Sequence, residues 1–302
     1  MALTAQASNP KPRAQSDDLG LKPLSPGAMF WRQFRRHIPA LASVVVLGLL
    51  LAVCFAAPLI APYKFDAIEL RNARQPPSLK HLMGTDELGH DQFTRVLYGG
   101  RISLVIGLTA ALVGTAFGTL MGAVAGYYGG RLDNLLMRFT DIAFSIPTLP
   151  LLIVIGAFTK SSLPIMVLVI GGLSWMATAR VVRGSVLSIK QQDFITAARM
   201  IGARDSHIIF YHILPNILGP IVVGATLGVG GAIITESALS FLGLGVQPPT
   251  PSWGNMLHDS QATMASKPWL TIFPGLAILV TVLCINFIGD GLQDALDPTQ
   301  RR

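Results

Sequence analysis

Groups able to do chemistry are scarce in this chain, and two short stretches concentrate them. "DFITAARMIGARDSHIIFYHILPN" places Asp193, Arg199, Arg204, Asp205, His207 and His212 between two long apolar runs. "HLMGTDELGHDQF" holds His81, Asp86, Glu87, His90 and Asp91. Imidazoles and carboxylates are metal ligands, but these two histidines lack tight ligand spacing, and acids ahead of a helix serve as its cap. Glu236 is the one acid well inside an apolar run. A charge at mid-bilayer costs roughly 3 kcal/mol, so this carboxyl needs a hydrogen-bonding partner or a wet cavity. Glu236, Ser237 and Ser240 are therefore the candidates for a pathway or an outer gate.

Several activities are excluded. No GxxxxGK[ST] occurs, so the chain is not expected to bind or hydrolyse ATP. No GxSxG occurs, and every His lies outside the expected spans, which argues against an intramembrane protease. Cys54 and Cys284 sit in apolar runs, giving neither a disulfide framework nor a CxxC metal site. An ion-coupled carrier usually buries several ionisable groups, and Glu236 stands nearly alone. The energy for any transport has to come from outside.

The elements that position these groups are membrane helices. The chain is 51% hydrophobic and 13% charged, with a mean hydropathy of +0.54. About 20 apolar residues cross the ~30 Å hydrocarbon layer. Runs at 38–60, 102–125, 135–158, 163–182, 217–241 and 270–288 meet that length, predicting six spans with both termini on one side. The polar segment 1–37 has no signal-peptide pattern, so the first run reads as an uncleaved anchor. With the N-terminus inside, 15 of the 23 Lys and Arg residues lie on the inner side, which predicts cytoplasmic termini. The +7 net charge then requires no nucleic acid.

The expected layout is a tail over 1–37, a first helix over 38–62 and an outer segment over 63–101. Phe93, Val96 and Leu97 predict a short amphipathic surface helix in that segment. A five-helix core follows over 102–290, containing an inner loop at 193–216 and an outer loop at 242–269, and a tail covers 291–302. In "GTAFGTLMGAVAG", Gly114, Gly118, Gly122 and Gly126 recur every fourth residue, a face for close helix packing or for a moving seam. Gly224 and Gly228 begin a similar face. Pro147 and Pro150 should interrupt the third span and Pro274 the sixth, each freeing a carbonyl that must find a partner inside the protein. Asp141 is one turn from Arg138, suggesting an intrahelical pair. Arg180 and Arg183 read as anchors at the inner headgroups.

In 193–216, Asp193 is placed to cap one helix with Phe194, Ala197, Ala198 and Ile201 on one side, and Gly202 to end it. Asp205 or Ser206 would cap a second helix presenting Ile208, Ile209 and Ile213, with Pro215 breaking the chain before the fifth span. The result is a rigid polar elbow with a small Ala/Gly corner.

This elbow resembles the EAA loop of ABC importer permeases: Glu-Ala-Ala, three residues, Gly, nine residues, then Ile-x-Leu-Pro. Ala197, Ala198, Gly202, Leu214 and Pro215 match in register, while Thr196 replaces the Glu and His212 the first Ile. The resemblance implies a coupling helix docking on an ATPase, with Asp193, Thr196, Ala197, Ala198, Gly202, Ala203, Asp205, Leu214 and Pro215 as the coupling residues. "HLMGTDELGHDQFTRVLYGGRISLVIGL", "ESALSFLGLGVQPPTPSWGNML" and "NFIGDGLQDALDP" resemble the C-type permeases of the peptide branch, although His90 stands where Arg is usual. Implied are an all-α type I importer permease fold in a bacterial inner membrane and a homologous second permease. Two cytoplasmic ATPases carrying the ATP and Mg and a periplasmic or lipid-anchored binding protein complete the assembly. Dipeptides or oligopeptides are the implied solutes, with nickel, glutathione or oligosaccharides as the branch's other cargoes.

Overall fold

The structure, a computed structural model, describes residues 26–159 and 162–296; of the expected tails at 1–37 and 291–302, the parts 1–25 and 297–302 lie outside them. Thirteen α-helices appear among the described residues. They are α1 (Pro26–Phe34), α2 (Ile38–Phe55), α3 (Ala57–Ile60), α4 (Gln92–Tyr128), α5 (Gly130–Ser145), α6 (Thr148–Phe158) and α7 (Leu163–Gly172). After them come α8 (Trp175–Ile189), α9 (Asp193–Met200), α10 (Asp205–His207), α11 (Leu218–Phe241), α12 (Trp253–Asp259) and α13 (Trp269–Leu296). Four helical runs are long and apolar enough to cross a membrane: Ile38–Phe55, Gln92–Tyr128, Asp205–Phe241 and Trp269–Leu296. Two bent pairs, α5 with α6 at 78° and α7 with α8 at 44°, bring the spans to six if each pair is one span.

The glycine face sets the central packing. Helix α4 runs most extensively along α8, and each glycine lies where a side chain would not fit. A Cβ at Gly118 would stand 2.5 Å from the Trp175 carbonyl, at Gly122 2.9 Å from Val182 Cβ, and at Gly126 2.9 Å from Val186 Cβ. Gly114 faces Ser174 Oγ, and Gly171 on α7 answers from the other side against Val113. Lipid tails are as apolar as side chains, so close backbone approach and van der Waals contact hold helices together where water would have driven burial. The stripe is thus occupied within the chain. Gly228 comes near Ala111 Cβ, but Gly224 meets nothing, so the second glycine face packs only in part.

Proline acts more locally than expected. Pro147 is the N-cap of α6 and Pro150 lies in its first turn, where donors have no intrahelical partner to lose. Here the break occurs. Pro274, by contrast, sits inside an unbroken α13, and the carbonyl it frees, that of Leu270, accepts from Gln92 Nε2 at 3.0 Å. Pro215 does not stop the chain either. A wide turn over Ile208–Ile213 and a tight one over Leu214–Ile217 absorb its missing donor, so helix continues from Asp205 to Phe241. The 44° bend in the fourth span has no proline. There Leu173 and Ser174 bond back three residues instead of four, and Ser174 Oγ competes for the Gly171 carbonyl at 3.1 Å.

Other expectations are corrected by long-range pairing. Asp141 binds Arg180 across helices at 2.8 Å, not Arg138. Arg183 gives Asp133 a bidentate pair at 2.5 and 2.7 Å, so Arg180 and Arg183 tie α8 to α5 instead of reaching for headgroups. The surface helix expected near Phe93 is the first part of α4 itself, so a boundary at 101/102 falls inside a helix, as does one at 290/291 inside α13.

At the opposite end from residues 193–216, loops form a cap over the spans. Asp91 caps α4 by accepting from Thr94 N at 2.9 Å and also meets His81 Nδ1 at 2.9 Å. Asp86 contacts His90 and Arg95, each at 2.7 Å. Burial pushes the Asp86 carboxyl up, but the His90 hydrogen bond and the Arg95 guanidinium outweigh it and hold the group below the usual carboxylate range. These acids and histidines are spent on one another in pairs. No group of three or more metal-ligating residues is found among the described residues.

Candidate functional site

The segment 193–216 folds as a helical hairpin with an inner and an outer face. Helix α9 ends in a complete Schellman arrangement: Ala203 N bonds the Ala198 carbonyl at 3.1 Å and Gly202 N the Arg199 carbonyl at 3.0 Å. Gly202 takes φ +81°, a left-handed conformation that glycine adopts without strain. The caps differ from expectation. Gln192 precedes α9 and Arg204 precedes α10, neither with a side-chain bond, while Asp193 and Asp205 are first-turn acids suited to the helix dipole.

The inner face is a hydrophobic core. Ile195, Ala198, Ile208, Ile213 and Ile217 are buried with Ala123 and Tyr127 of α4 and Val182 and Val186 of α8. Ala203, Ile209 and Leu214 pack on its edge. Thus Ala198, Ala203 and Leu214 fix the hairpin to the spans, and Phe194, Ala197 and Ile201 do not share their side.

Tyr127 is the polar knot of this joint, and nothing in the sequence singled it out. Its hydroxyl donates to Asp205 Oδ1 at 2.6 Å, Arg199 lies 5.2 Å over its ring, and Lys190 Nζ donates to its carbonyl. One side chain joins α4, the end of α8 and both arms of the hairpin. Tyr127→Phe keeps the packing and deletes a hydrogen bond to a charged acceptor, worth about 1.5–3 kcal/mol. Amide exchange over 193–216 is expected to speed up at least tenfold, with the rest of α4 unchanged.

The outer face projects from the protein. Met200 is 82% and Ile201 86% exposed, with Phe210 and Tyr211 also exposed nearby. Thr196, Ala197, Gly202 and Pro215 share this exposure, and Asp193 and Arg204 add charge. No atom lies within 4 Å of where a Gly202 Cβ would be. Apolar tips this accessible, on a scaffold this firmly packed, describe a surface built to be covered.

Glu236 is placed otherwise. It is 0% exposed, accepting from Ser103 Oγ at 3.0 Å and Ser240 Oγ at 2.8 Å, with Ser237 Oγ at 3.5 Å. Ser103 Oγ in turn accepts from Trp253 N, and Ser252 and Asn255 form a capping box that starts α12 beside it. Glu236, Ser237 and Ser240 therefore clamp α4, α11 and the outer loop together. All three are buried within this chain. Glu236→Leu strands two buried hydroxyls at about 1–3 kcal/mol each, and a melting point lower by several degrees is expected. Glu236→Gln keeps an acceptor and is expected to lose less than half as much.

Comparison with known proteins agrees with this arrangement. Residues 118–302 match the model for binding-protein-dependent transport system inner membrane components, and residues 25–77 match that for the N-terminal TM domain of oligopeptide transport permease C. The dipeptide transport system permease protein DppC of Alkalihalophilus pseudofirmus is 40% identical over 99% of this chain and 97% of its own length. The glutathione transport system permease protein GsiD of Escherichia coli O6:K15:H31 is 45% identical over 91% of each chain. A chain of the inward-facing MetNI methionine ABC transporter superposes with a TM-score of 0.55 at 20% identity, covering 67% of this chain and 96% of that one.

An all-helical, multi-spanning chain with this fold and these relatives is a non-catalytic permease subunit of an ATP-binding cassette importer. It works with a second permease and cytoplasmic ATPases. The chain belongs to the binding-protein-dependent transport system inner membrane component family, in its peptide branch.

Proposed function

We propose that this permease moves short peptides, and that the hairpin at 193–216 couples it to an ATPase. The observation that carries the coupling is the contrast between the two faces of the hairpin: an inner face locked into α4 and α8, and an outer face ending in exposed Met200 and Ile201. A cleft in the ATPase subunit that closes on this tip would push it as a rigid lever. The Arg183–Asp133 and Arg180–Asp141 ties carry the push to α5, and the unbroken run from Asp205 carries it along the fifth span. Both termini are then cytoplasmic and the outer cap periplasmic, in line with the excess of Lys and Arg on the hairpin side. A periplasmic or lipid-anchored binding protein delivers the solute, and the pathway runs between the two permeases. ATP and Mg stay on the ATPases.

The solute reading rests on the relatives. One is named for dipeptides and another for glutathione, itself a short peptide, so glutathione is the favoured second cargo. The test is uptake of labelled dipeptide and labelled glutathione by cells lacking other peptide importers, with and without this chain. Chain-dependent dipeptide uptake that survives an uncoupler but not ATP depletion is the expected result. Uptake of glutathione alone would reassign the cargo, and uptake driven by an ion gradient without the ATPases would overturn the importer reading.

A further inference from the structure

At the end of the spans remote from the hairpin, an open groove of about 300 Å³ lies between α2, α4, α7 and the outer loop. Among the described residues its walls are nearly all apolar, with Phe55, Tyr98, Ile102, Val105 and Leu163 prominent, and Arg101 is the one charged residue lining it. The guanidinium lies 5.9 Å from the Phe55 ring and 5.7 Å from the Tyr98 ring. The Phe65 ring lies tilted against Tyr98, centroids 5.0 Å apart, and closes that side.

Arg101 is held differently from the ion-paired arginines. Arg74, Arg95, Arg180 and Arg183 each pair with a carboxylate. Arg101 has no ion pair or hydrogen bond among the described residues. Its five donors are thus unclaimed, although two aromatic rings hold it in place. Its depth is also defined. Phe55 is the last residue of α2 and Leu163 the first of α7, so the groove sits where apolar spans give way to polar loops. Ligands complementary to this site carry an anion at the boundary and an apolar body beside it. A free phosphate satisfies the first demand and leaves the groove unfilled.

We propose that the groove seats an anionic phospholipid, its phosphate on Arg101 and one acyl chain along Ile102, Val105 and Leu163. The lipid fills the seam between the first, second and fourth spans and holds the outer ends of α2 and α7 against α4. This site lies outside the coupling hairpin and does not depend on the solute.

The test is lipid retention by the assembled transporter, extracted in mild detergent from membranes containing phosphatidylglycerol and read by native mass spectrometry. Retained phosphatidylglycerol is expected to fall about tenfold in Arg101→Gln, where the charge-assisted hydrogen bonds are lost. Val105→Trp, which fills the groove, should act likewise, and Arg101→Lys should keep most of the lipid. Arg131→Gln, at the other end of the spans, should change nothing. A photoreactive residue at Val105 reads the occupant without disturbing Arg101, and a phospholipid adduct is expected. Unchanged retention in both Arg101→Gln and Val105→Trp, or an adduct to the partner permease in place of lipid, would overturn the proposal.

Discussion

Gly202→Glu is expected to abolish uptake and to release the ATPase subunits during purification, while the permease stays folded. Two separable effects act at this position. Any side chain there meets the left-handed backbone, which costs roughly 1–2 kcal/mol but faces no steric neighbour within the chain. The carboxylate adds a charge that must be desolvated when the apolar tip of Met200 and Ile201 is covered. An unpaired charge in an interface costs about 2–5 kcal/mol, or roughly 30-fold to several-thousand-fold in affinity. Gly202→Ala isolates the first effect and should retain most uptake. The readouts are ATPase co-purification and initial uptake rate, with the permease melting point as the folding control. Normal co-purification and uptake in Gly202→Glu would remove the hairpin from the coupling role.

Gly118→Val combined with Gly122→Val should cost the chain much of its stability. Both positions face α8 where it crosses α4, and the neighbours are partly backbone: the Trp175 carbonyl stands 2.5 Å from the first added Cβ, and Val182 Cβ 2.9 Å from the second. Backbone cannot swing aside as a flexible side-chain end can. Overpacking costs about 1–3 kcal/mol per site, and because both sites press on the same pair of helices, avoiding the clashes means parting α4 from α8. The expected outcome is loss of most monodisperse protein after detergent extraction. Gly224→Val, at a position where an added Cβ meets no described atom within 4 Å, should leave the yield intact. Equal yields for the double variant and for Gly224→Val would show that the stripe does not hold α4 to α8.

The positions of the apolar runs were legible because a bilayer imposes one composition on whatever crosses it, but their ends were not: α4 begins already at Gln92 and α13 runs on to Leu296. Gly202 was legible for a similar reason: a glycine after an amphipathic run marks a helix end whatever lies around it. Tyr127 was not, because its importance comes from Asp205, Arg199 and Lys190, which only folding brings to it. Asp141 illustrates the same limit, since a partner one turn away on the sequence lost to Arg180 on another helix. Proline misled where the fold supplied compensation. Gln92 reaches the carbonyl that Pro274 frees, and a widened turn accommodates Pro215, whereas nothing bridges the break at Pro147. Glu236 drew attention as a charge in an apolar run; of the serines that satisfy it, Ser237 and Ser240 are close in sequence, while Ser103 is remote and is brought in only by folding.

Photocrosslinking from Ile201 in the intact transporter examines the coupling assignment at the exposed tip of the hairpin. Adducts to the ATPase subunit, strengthened or weakened by ATP, are the expected result. Adducts to lipid alone, in a preparation that still transports, would contradict it.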